Sequence, residues 1–123
     1  GSPLREFLHA EDLGEACVFA LKRWNPDHAD APKNEQGTPL TFLNVGTGHD
    51  LPIRDLAEQV AAAVGFSGEI HWDSSKPDGT PKKHLDVSRL STMGWQARIP
   101  LNAGLPQALD DFQKQRQAGT LRS

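Results

Sequence analysis

The sequence predicts a small α/β or α+β domain, built from short strands and three amphipathic helices. Apolar residues recur every three to four positions in three separate segments, and this spacing indicates the helices. Two short runs of β-branched and aromatic residues near glycines indicate the strands. With 123 residues and 37% hydrophobic content, the chain is long enough for one compact domain and too short for two.

The first predicted helix covers residues 11–24. Acidic residues in its first turn and basic residues in its last turn complement the helix dipole. Cys17 is the only cysteine, which excludes an intrachain disulfide, and we expect it to be a small buried side chain rather than a nucleophile. Residues 25–39 have no periodicity and are expected to form a mobile surface connection. The predicted buried face of this helix consists of Leu13, Ala16, Cys17, Ala20, Leu21 and Trp24.

A strand is predicted at residues 41–45, followed by the turn Gly46-Thr47-Gly48. The third glycine of a dinucleotide-binding fingerprint is absent, so tight-turn geometry explains these glycines better than cofactor binding does. A second helix is predicted at residues 53–64, and Gly65 fits its C-terminal cap. Its predicted buried face consists of Ile53, Leu56, Ala57, Val60, Ala61 and Val64.

The remaining elements are a second strand at residues 69–72, a turn or one-turn helix at 86–90, and a last helix at 102–117. Asn102 is the predicted N-cap of this last helix, and Trp95 is expected to anchor the core. Leu105, Ala108, Leu109 and Phe112 form the predicted buried face, and residues 118–123 are expected to fray. This small number of helices and strands is not enough to cover a hydrophobic core well. Several apolar helix faces are therefore expected to dock on another domain.

Residues 76–83, Lys-Pro-Asp-Gly-Thr-Pro-Lys-Lys, carry three lysines and one carboxylate. Two prolines and a glycine disfavour helix and strand, so the segment is predicted to be a rigid, exposed loop. Lysines attract phosphate oxygens, and a carboxylate accepts hydrogen bonds from sugar hydroxyls or from the N–H edge of a base. The loop therefore suits a phosphorylated, hydroxyl-rich ligand, and a solvated surface turn is the alternative.

The composition also excludes several functions. A net charge of -3 argues against a nucleic-acid partner. No apolar run is long enough to span a membrane and no signal-peptide pattern is present, so a cytoplasmic location is expected. The chain has no tyrosine to act as a general acid, and it has no dinucleotide, Walker, Cys-x-x-Cys or His-Glu-x-x-His motif. We therefore predict no catalytic, cofactor-binding or metal-binding residue within it.

Three stretches resemble one family: Gly-Ser-Pro-Leu-Arg-Glu-Phe-Leu-His at residues 1–9, Asn-Val-Gly-Thr-Gly at 44–48, and the lysine loop with Leu-Asp-Val at 85–87. Together they resemble the C-terminal part of the GDP-L-fucose synthases, which are NADPH-dependent epimerase/reductases of the extended short-chain dehydrogenase group. The resemblance covers nearly the whole chain and is weakest at residues 25–39. Arg-Glu-Phe is shared by many nucleotide-sugar epimerases, whereas the lysine loop is more specific.

The resemblance implies that residues 1–123 are the substrate-binding part of an enzyme that converts GDP-4-keto-6-deoxy-D-mannose to GDP-L-fucose. In this family an N-terminal Rossmann domain holds NADPH and the residues of hydride transfer and epimerisation, and none of those motifs matches here. The implied partners are a GDP-sugar and either that missing N-terminal half or a second copy in a homodimer. By itself the chain is expected to bind no cofactor and to be inactive.

Arg5 and Asp78 match substrate-contacting positions of the family. Arg5 offers a planar donor fork for pyrophosphate oxygens, and Asp78 can accept hydrogen bonds from ribose or guanine. Lys76 and Lys83 would add attraction for the diphosphate. Lys82 is a weaker candidate for a ligand contact than Lys83, and it occupies a position where the family commonly has arginine.

Three alternatives stay open from the sequence. Arg5 could be a structural ion-pair partner for Glu6 or Asp12 rather than a ligand contact. The chain could be a free-standing binding or interaction module whose apolar helix faces dimerise or bind another protein. It could also come from a related epimerase that uses UDP- or dTDP-sugars.

Overall fold

A computed structural model describes residues 1–121 and confirms the predicted α/β class, with a three-stranded sheet and four helices. In chain order the elements are β1 Leu4–Glu6, α1 Ala10–Arg23, β2 Asp50–Pro52, α2 Ile53–Val64, β3 Lys82–Lys83, α3 Ser88–Thr92 and α4 Leu101–Gln117. Within this part of the chain, no helix has both the length and the apolar character that crossing a bilayer requires.

The sheet has β1 at its centre, between β2 and β3. β2 pairs with β1 antiparallel and places Leu51 opposite Arg5, whereas β3 pairs with β1 in parallel and places Lys83 opposite Arg5. The amide of Leu4 also donates to the carbonyl of Pro81 at 2.8 Å, just before β3 begins. The last two residues of the predicted lysine loop are therefore a strand, because β1 supplies a backbone edge on which they can pair.

The predicted helices are largely confirmed. α1 lies within one residue of its predicted bounds, and α2 matches them, with Gly65 at φ 69° as its C-cap. α3 confirms the short helical turn, displaced by two residues. The predicted cap Asn102 is wrong, because the carbonyl of Pro100 already accepts the first helical hydrogen bonds, from Ala103 and Gly104.

α4 ends at Gln117, as predicted. The backbone does not fray directly after it, because the amide of Thr120 donates back to the carbonyl of Gln115 at 3.0 Å. The remainder of the expected fraying, at Arg122 and Ser123, lies outside the described residues.

Both predicted strands are wrong: residues 41–45 and 69–72 are irregular. β-branched and aromatic residues favour a strand only where another strand offers its backbone, and neither segment pairs with one. Asn44 instead donates through its side chain to the carbonyl of Asp86 at 3.1 Å. Residues 25–39 contain a series of turns, the last of which is closed by a bridge between Lys33 and Pro39.

The core is small and lies between α1 and α3. Ala16, Leu90 and Trp95 are buried at its centre, so the predicted role of Trp95 is confirmed. Partly buried hydrophobic residues pack around this centre: Leu8, Phe19, Leu43, Val45 and Ala97.

Much of each predicted buried helix face is exposed. On α1, Leu13 and Leu21 are 46% and 86% exposed, and the prediction that Cys17 is buried is wrong because the same side of the helix is uncovered. Val60, Val64 and Phe112 are exposed on α2 and α4, and Ala108 is exposed as well. These helices therefore keep apolar surface that the described part of the chain does not cover.

Candidate functional site

The candidate site is built on β1, where successive side chains point to opposite faces of the sheet. Residues opposite each other on neighbouring strands share a face, so Arg5 lies on the same face as Leu51 and Lys83. Leu4 and Glu6 lie on the other face. The register of a two-residue strand thus brings together two cations that are 78 positions apart in sequence.

Arg5 and Lys83 line a cleft of about 580 Å³. The Arg5 side chain is half-buried, and its Nη1 donates to the carbonyl of Leu4 at 2.6 Å. A Cβ atom placed on Gly79 would lie 3.5 Å from Nη2, so the guanidinium is directly beside the lysine loop. The cleft also includes residues assigned to the opposite face of the sheet and to the segments that follow its strands: Glu6, Leu8, Val45, Gly46, Lys82, His84 and Leu85.

The loop carries Asp78 next to Gly79, and Gly79 is the residue that lies beside the Arg5 guanidinium. Ser2 donates through its hydroxyl to Asp78 Oδ2 at 3.0 Å, which fixes the carboxylate from the N-terminal side of β1. Asp78 and Lys76 are both exposed, and neither is among the residues that line the cleft. The structure therefore brings Arg5 and Lys83 together in the cleft, whereas Asp78 is connected to it only through its neighbour Gly79 and Lys76 lies outside it.

Glu6 organises the opposite face of β1. Its Oε1 accepts hydrogen bonds from the amide of Thr47, from the Thr47 hydroxyl at 3.1 Å and from the amide of Gly48 at 2.7 Å. Its Oε2 accepts from the amide of Leu85 at 3.1 Å. One carboxylate thus joins the glycine turn and the segment after β3 to the central strand.

The Gly46–Gly48 turn needs glycine at both ends for different reasons. Any Cβ on Gly46 would overlap the Glu6 carboxylate, and Gly48 has φ 75°, in the left-handed region that glycine favours. The predicted tight turn agrees with this geometry. Because its amides already bind a carboxylate of the chain itself, the turn does not fit the pyrophosphate of a dinucleotide cofactor.

The electrostatic state of Glu6 follows from these contacts. Desolvation by burial raises the pKa of Glu6, but the hydrogen bonds from Gly48, Leu85 and Thr47 together outweigh it and hold the pKa below its ordinary value. Glu6 is therefore ionised at neutral pH and acts as an acceptor only.

The alternative of a structural ion pair for Arg5 is wrong. The Glu6 carboxylate is occupied by backbone amides and the Thr47 hydroxyl. Asp12 is only 2% exposed, and it accepts hydrogen bonds from the amides of Arg98 at 3.1 Å and Ile99 at 2.9 Å. Arg5 consequently forms no ion pair with either carboxylate, and its role as a ligand contact stays a prediction.

The sequence alone does not indicate the organising roles of Glu6, Asp12 and Asp50. Each acts on a partner at least 32 positions away, so no local spacing reveals it. The sequence around Glu6 offers only its position beside Arg5, because Leu4-Arg5-Glu6-Phe7-Leu8 has no alternating polarity. Residues 1–121 contain no cluster of three or more histidine, cysteine, aspartate or glutamate side chains that could hold a metal ion.

Comparisons with known proteins identify the relatives of this fold and site. GDP-L-fucose synthase 1 of Arabidopsis thaliana is 45% identical over 114 residues, which are 93% of this chain and 31% of the relative. GDP-L-fucose synthase of Escherichia coli (strain K12) is 46% identical over 112 residues, or 91% of this chain and 34% of the relative. The chain is a homologue of GDP-L-fucose synthases. No family model matches it.

Solved structures agree with this relationship. A GDP-6-OMe-4-keto-L-xylo-heptose reductase from C. jejuni superimposes with a TM-score of 0.82 at 31% identity, over 93% of this chain and 32% of that one. MlghC, a GDP-mannoheptose C4 reductase from Campylobacter jejuni with NADP bound, gives a TM-score of 0.74 at 28% identity, over 92% of this chain and 32% of that one.

The GDP-L-fucose synthases are matched in their C-terminal region, and the chain spans about a third of the length of these relatives. The resemblance found in the sequence motifs is thereby confirmed. The solved structure of MlghC contains NADP, and the present residues match 32% of that chain.

Proposed function

We propose that this chain forms the GDP-sugar-binding part of a GDP-L-fucose synthase, which epimerises and reduces GDP-4-keto-6-deoxy-D-mannose to GDP-L-fucose with NADPH. The observation that carries the proposal is the register that places Arg5 opposite Lys83 beside the lysine loop. The names of the homologues support the substrate class. We place the cofactor domain of such an enzyme outside these 123 residues and the enzyme in the cytoplasm.

Arg5 and Lys83 suit a diphosphate for complementary reasons. The guanidinium presents a planar fork that can bind two phosphate oxygens, whereas the ammonium acts as a point charge. The apolar side chains of Leu8, Val45 and Leu85 line the same cleft and lower its polarity, which strengthens these interactions. Lys76, outside the cleft, would attract the anion at longer range.

Asp78 suits the nucleoside end of the ligand. Ser2 occupies one lone pair of Oδ2 and leaves Oδ1 open to accept hydrogen bonds. Ribose hydroxyls and the N–H edge of guanine both offer donors to such a carboxylate. Asp78 adjoins Gly79, which lies beside the Arg5 guanidinium, so a nucleotide with its phosphates at Arg5 could extend its nucleoside along the loop.

Titration of the 123-residue protein with GDP, followed by calorimetry, tests this site. We expect saturable binding that Arg5→Ala and Asp78→Ala each weaken about tenfold or more, since a hydrogen bond to a charged group contributes about 1.5–3 kcal/mol. Arg54→Ala is the matched control, because Arg54 is exposed on α2 and its side chain lines no part of the cleft.

Equal losses in all three variants, or unchanged affinity in Arg5→Ala, would contradict the proposed site. A parallel titration with UDP separates the base classes. Tighter binding of GDP than of UDP supports a GDP-sugar enzyme, whereas the reverse order would favour a related epimerase.

A second prediction concerns turnover. The chain has no tyrosine to donate a proton during carbonyl reduction and no dinucleotide fingerprint, so these 123 residues alone should not oxidise NADPH in the presence of the keto-sugar. NADPH fluorescence followed over time measures this directly. Sustained oxidation above a heat-denatured control would refute the assignment of the redox chemistry to residues outside this chain.

Exposed apolar side chains favour a second candidate function, a module that dimerises or binds another protein. On α1, Leu13, Val18 and Leu21 are 46%, 49% and 86% exposed. Light scattering with and without GDP discriminates the two functions. A stable dimer that binds no GDP would favour the module, and a protein that binds GDP saturably would favour the enzyme part.

A further inference from the structure

An ion pair crosses the sheet from one edge strand to the other. Asp50 is the first residue of β2 and Lys82 is the first residue of β3, and β1 lies between the two strands. Lys82 Nζ lies 3.1 Å from Asp50 Oδ2. The lysine stem therefore passes over the central strand to reach its partner.

The carboxylate end of this pair is buried. The Asp50 side chain is 16% exposed, and its Oδ2 atom has no solvent contact and accepts no hydrogen bond of regular geometry from the described residues. A buried carboxylate oxygen is costly unless a charge compensates it. The ammonium of Lys82 supplies that charge, and its own side chain is 55% exposed.

Asp50 also holds a second residue of the same segment. His84 Nδ1 lies 3.5 Å from the same Oδ2 atom. Lys82 and His84 are two positions apart, so both project to the Asp50 face of the sheet, and Lys83 between them projects to the face of Arg5. By holding Lys82 and His84 on its own face of the sheet, Asp50 thus keeps the Lys83 side chain on the face of Arg5.

We propose that Asp50 and Lys82 form a clamp that holds β3 in register on β1, and that Lys82 is a positioning residue rather than a phosphate contact. β3 has only two residues, so its backbone pairing alone is weak. Lys82 lines the cleft, but its ammonium is committed to Asp50. The consequence for ligand binding rests on the proposed function, since the clamp acts by placing Lys83 beside Arg5.

GDP binding measured in Lys82→Met, Asp50→Asn and the double variant tests the clamp. Each single variant should weaken binding about fivefold, and the double variant should be no weaker than either single one, because both remove the same contact. Lys82→Arg should retain most of the affinity, since it keeps the charge and the reach. The matched control is Lys114→Met, which breaks a surface pair with Asp110 on α4.

Hydrogen exchange of the ligand-free protein gives a readout that does not depend on GDP. The Leu4 amide donates to Pro81 and the Leu85 amide donates to Glu6, so these two amides report how firmly the ends of β3 are held. We expect faster exchange at both in Lys82→Met and Asp50→Asn. Exchange in Lys82→Arg and Lys114→Met should match the unaltered protein.

The outcomes separate the two proposals. Faster exchange with no GDP binding by the unaltered protein would support the clamp and refute the proposed function. Loss of affinity in Lys82→Met together with unchanged or tighter binding in Asp50→Asn would overturn the clamp, because it would mean that Lys82 contacts the ligand directly. Unchanged exchange at Leu4 and Leu85 in both single variants would overturn it as well.

Discussion

Glu6→Gln should lower the free energy of unfolding by about 2–3 kcal/mol, because hydrogen bonds to a charged acceptor are stronger than those to a neutral one and the new amide group faces donors. The Glu6 carboxylate accepts from the amides of Thr47, Gly48 and Leu85. A glutamine has one acceptor oxygen for these groups, and at least one donor loses its partner. Urea unfolding followed by tryptophan fluorescence measures the change.

Glu58→Gln is the control for this substitution, since Glu58 is exposed on α2 and should change stability by less than about 0.5 kcal/mol. Amide resonances give a second, local check. Those of Thr47, Gly48 and Leu85 should shift in Glu6→Gln and stay in place in Glu58→Gln. Equal stability of the two variants would refute the organising role of Glu6.

The same contacts determine a dependence on pH. Because the pKa of Glu6 is lower in the folded chain than its ordinary value of 4.5, the folded state favours the ionised form. The resulting stabilisation is complete above about pH 4.5 and is lost as the pH falls through the lowered pKa. Stability measured from neutral to acid pH should therefore fall less steeply in Glu6→Gln than in the unaltered protein.

The helices of this fold could be predicted from sequence because their signal is local. A repeat of three to four residues sets the buried stripe, and a glycine such as Gly65 ends the helix within the same window. Which stripe is buried depends on the rest of the fold. Leu21 belongs to the periodic stripe of α1 and is nevertheless 86% exposed, since nothing in the described part of the chain packs on it.

The strands could not be predicted, for the opposite reason. β1, β2 and β3 have two or three residues each, too few for an alternating pattern, and their pairing joins residues 44 to 78 positions apart. Arg5 and the lysine loop could be proposed as ligand contacts from residue types and family resemblance. The register that brings Lys83 to Arg5, and the carboxylates of Glu6 and Asp50 that support it, required the structure.

Asp12→Ala should destabilise the chain by about 3–4 kcal/mol, since it removes the acceptor of two backbone amides and leaves both without a partner in a buried place. The Asp12 side chain is 2% exposed and joins the first turn of α1 to the segment that precedes α4. Asp12→Asn keeps one oxygen acceptor and should lose about half as much. Thermal and urea unfolding of both variants measure these differences.

Glu15→Ala is the matched control, because Glu15 pairs with the Arg98 side chain and therefore joins the same two segments through an exposed contact. Exposed ion pairs contribute only about 0–1 kcal/mol, whereas an unsatisfied buried donor costs about 1–3 kcal/mol. The loss in Asp12→Ala should thus exceed that in Glu15→Ala severalfold. Equal losses in the two variants would contradict this role of Asp12. They would mean that the surface ion pair between Glu15 and Arg98 contributes as much as the buried carboxylate to joining α1 to the segment that precedes α4.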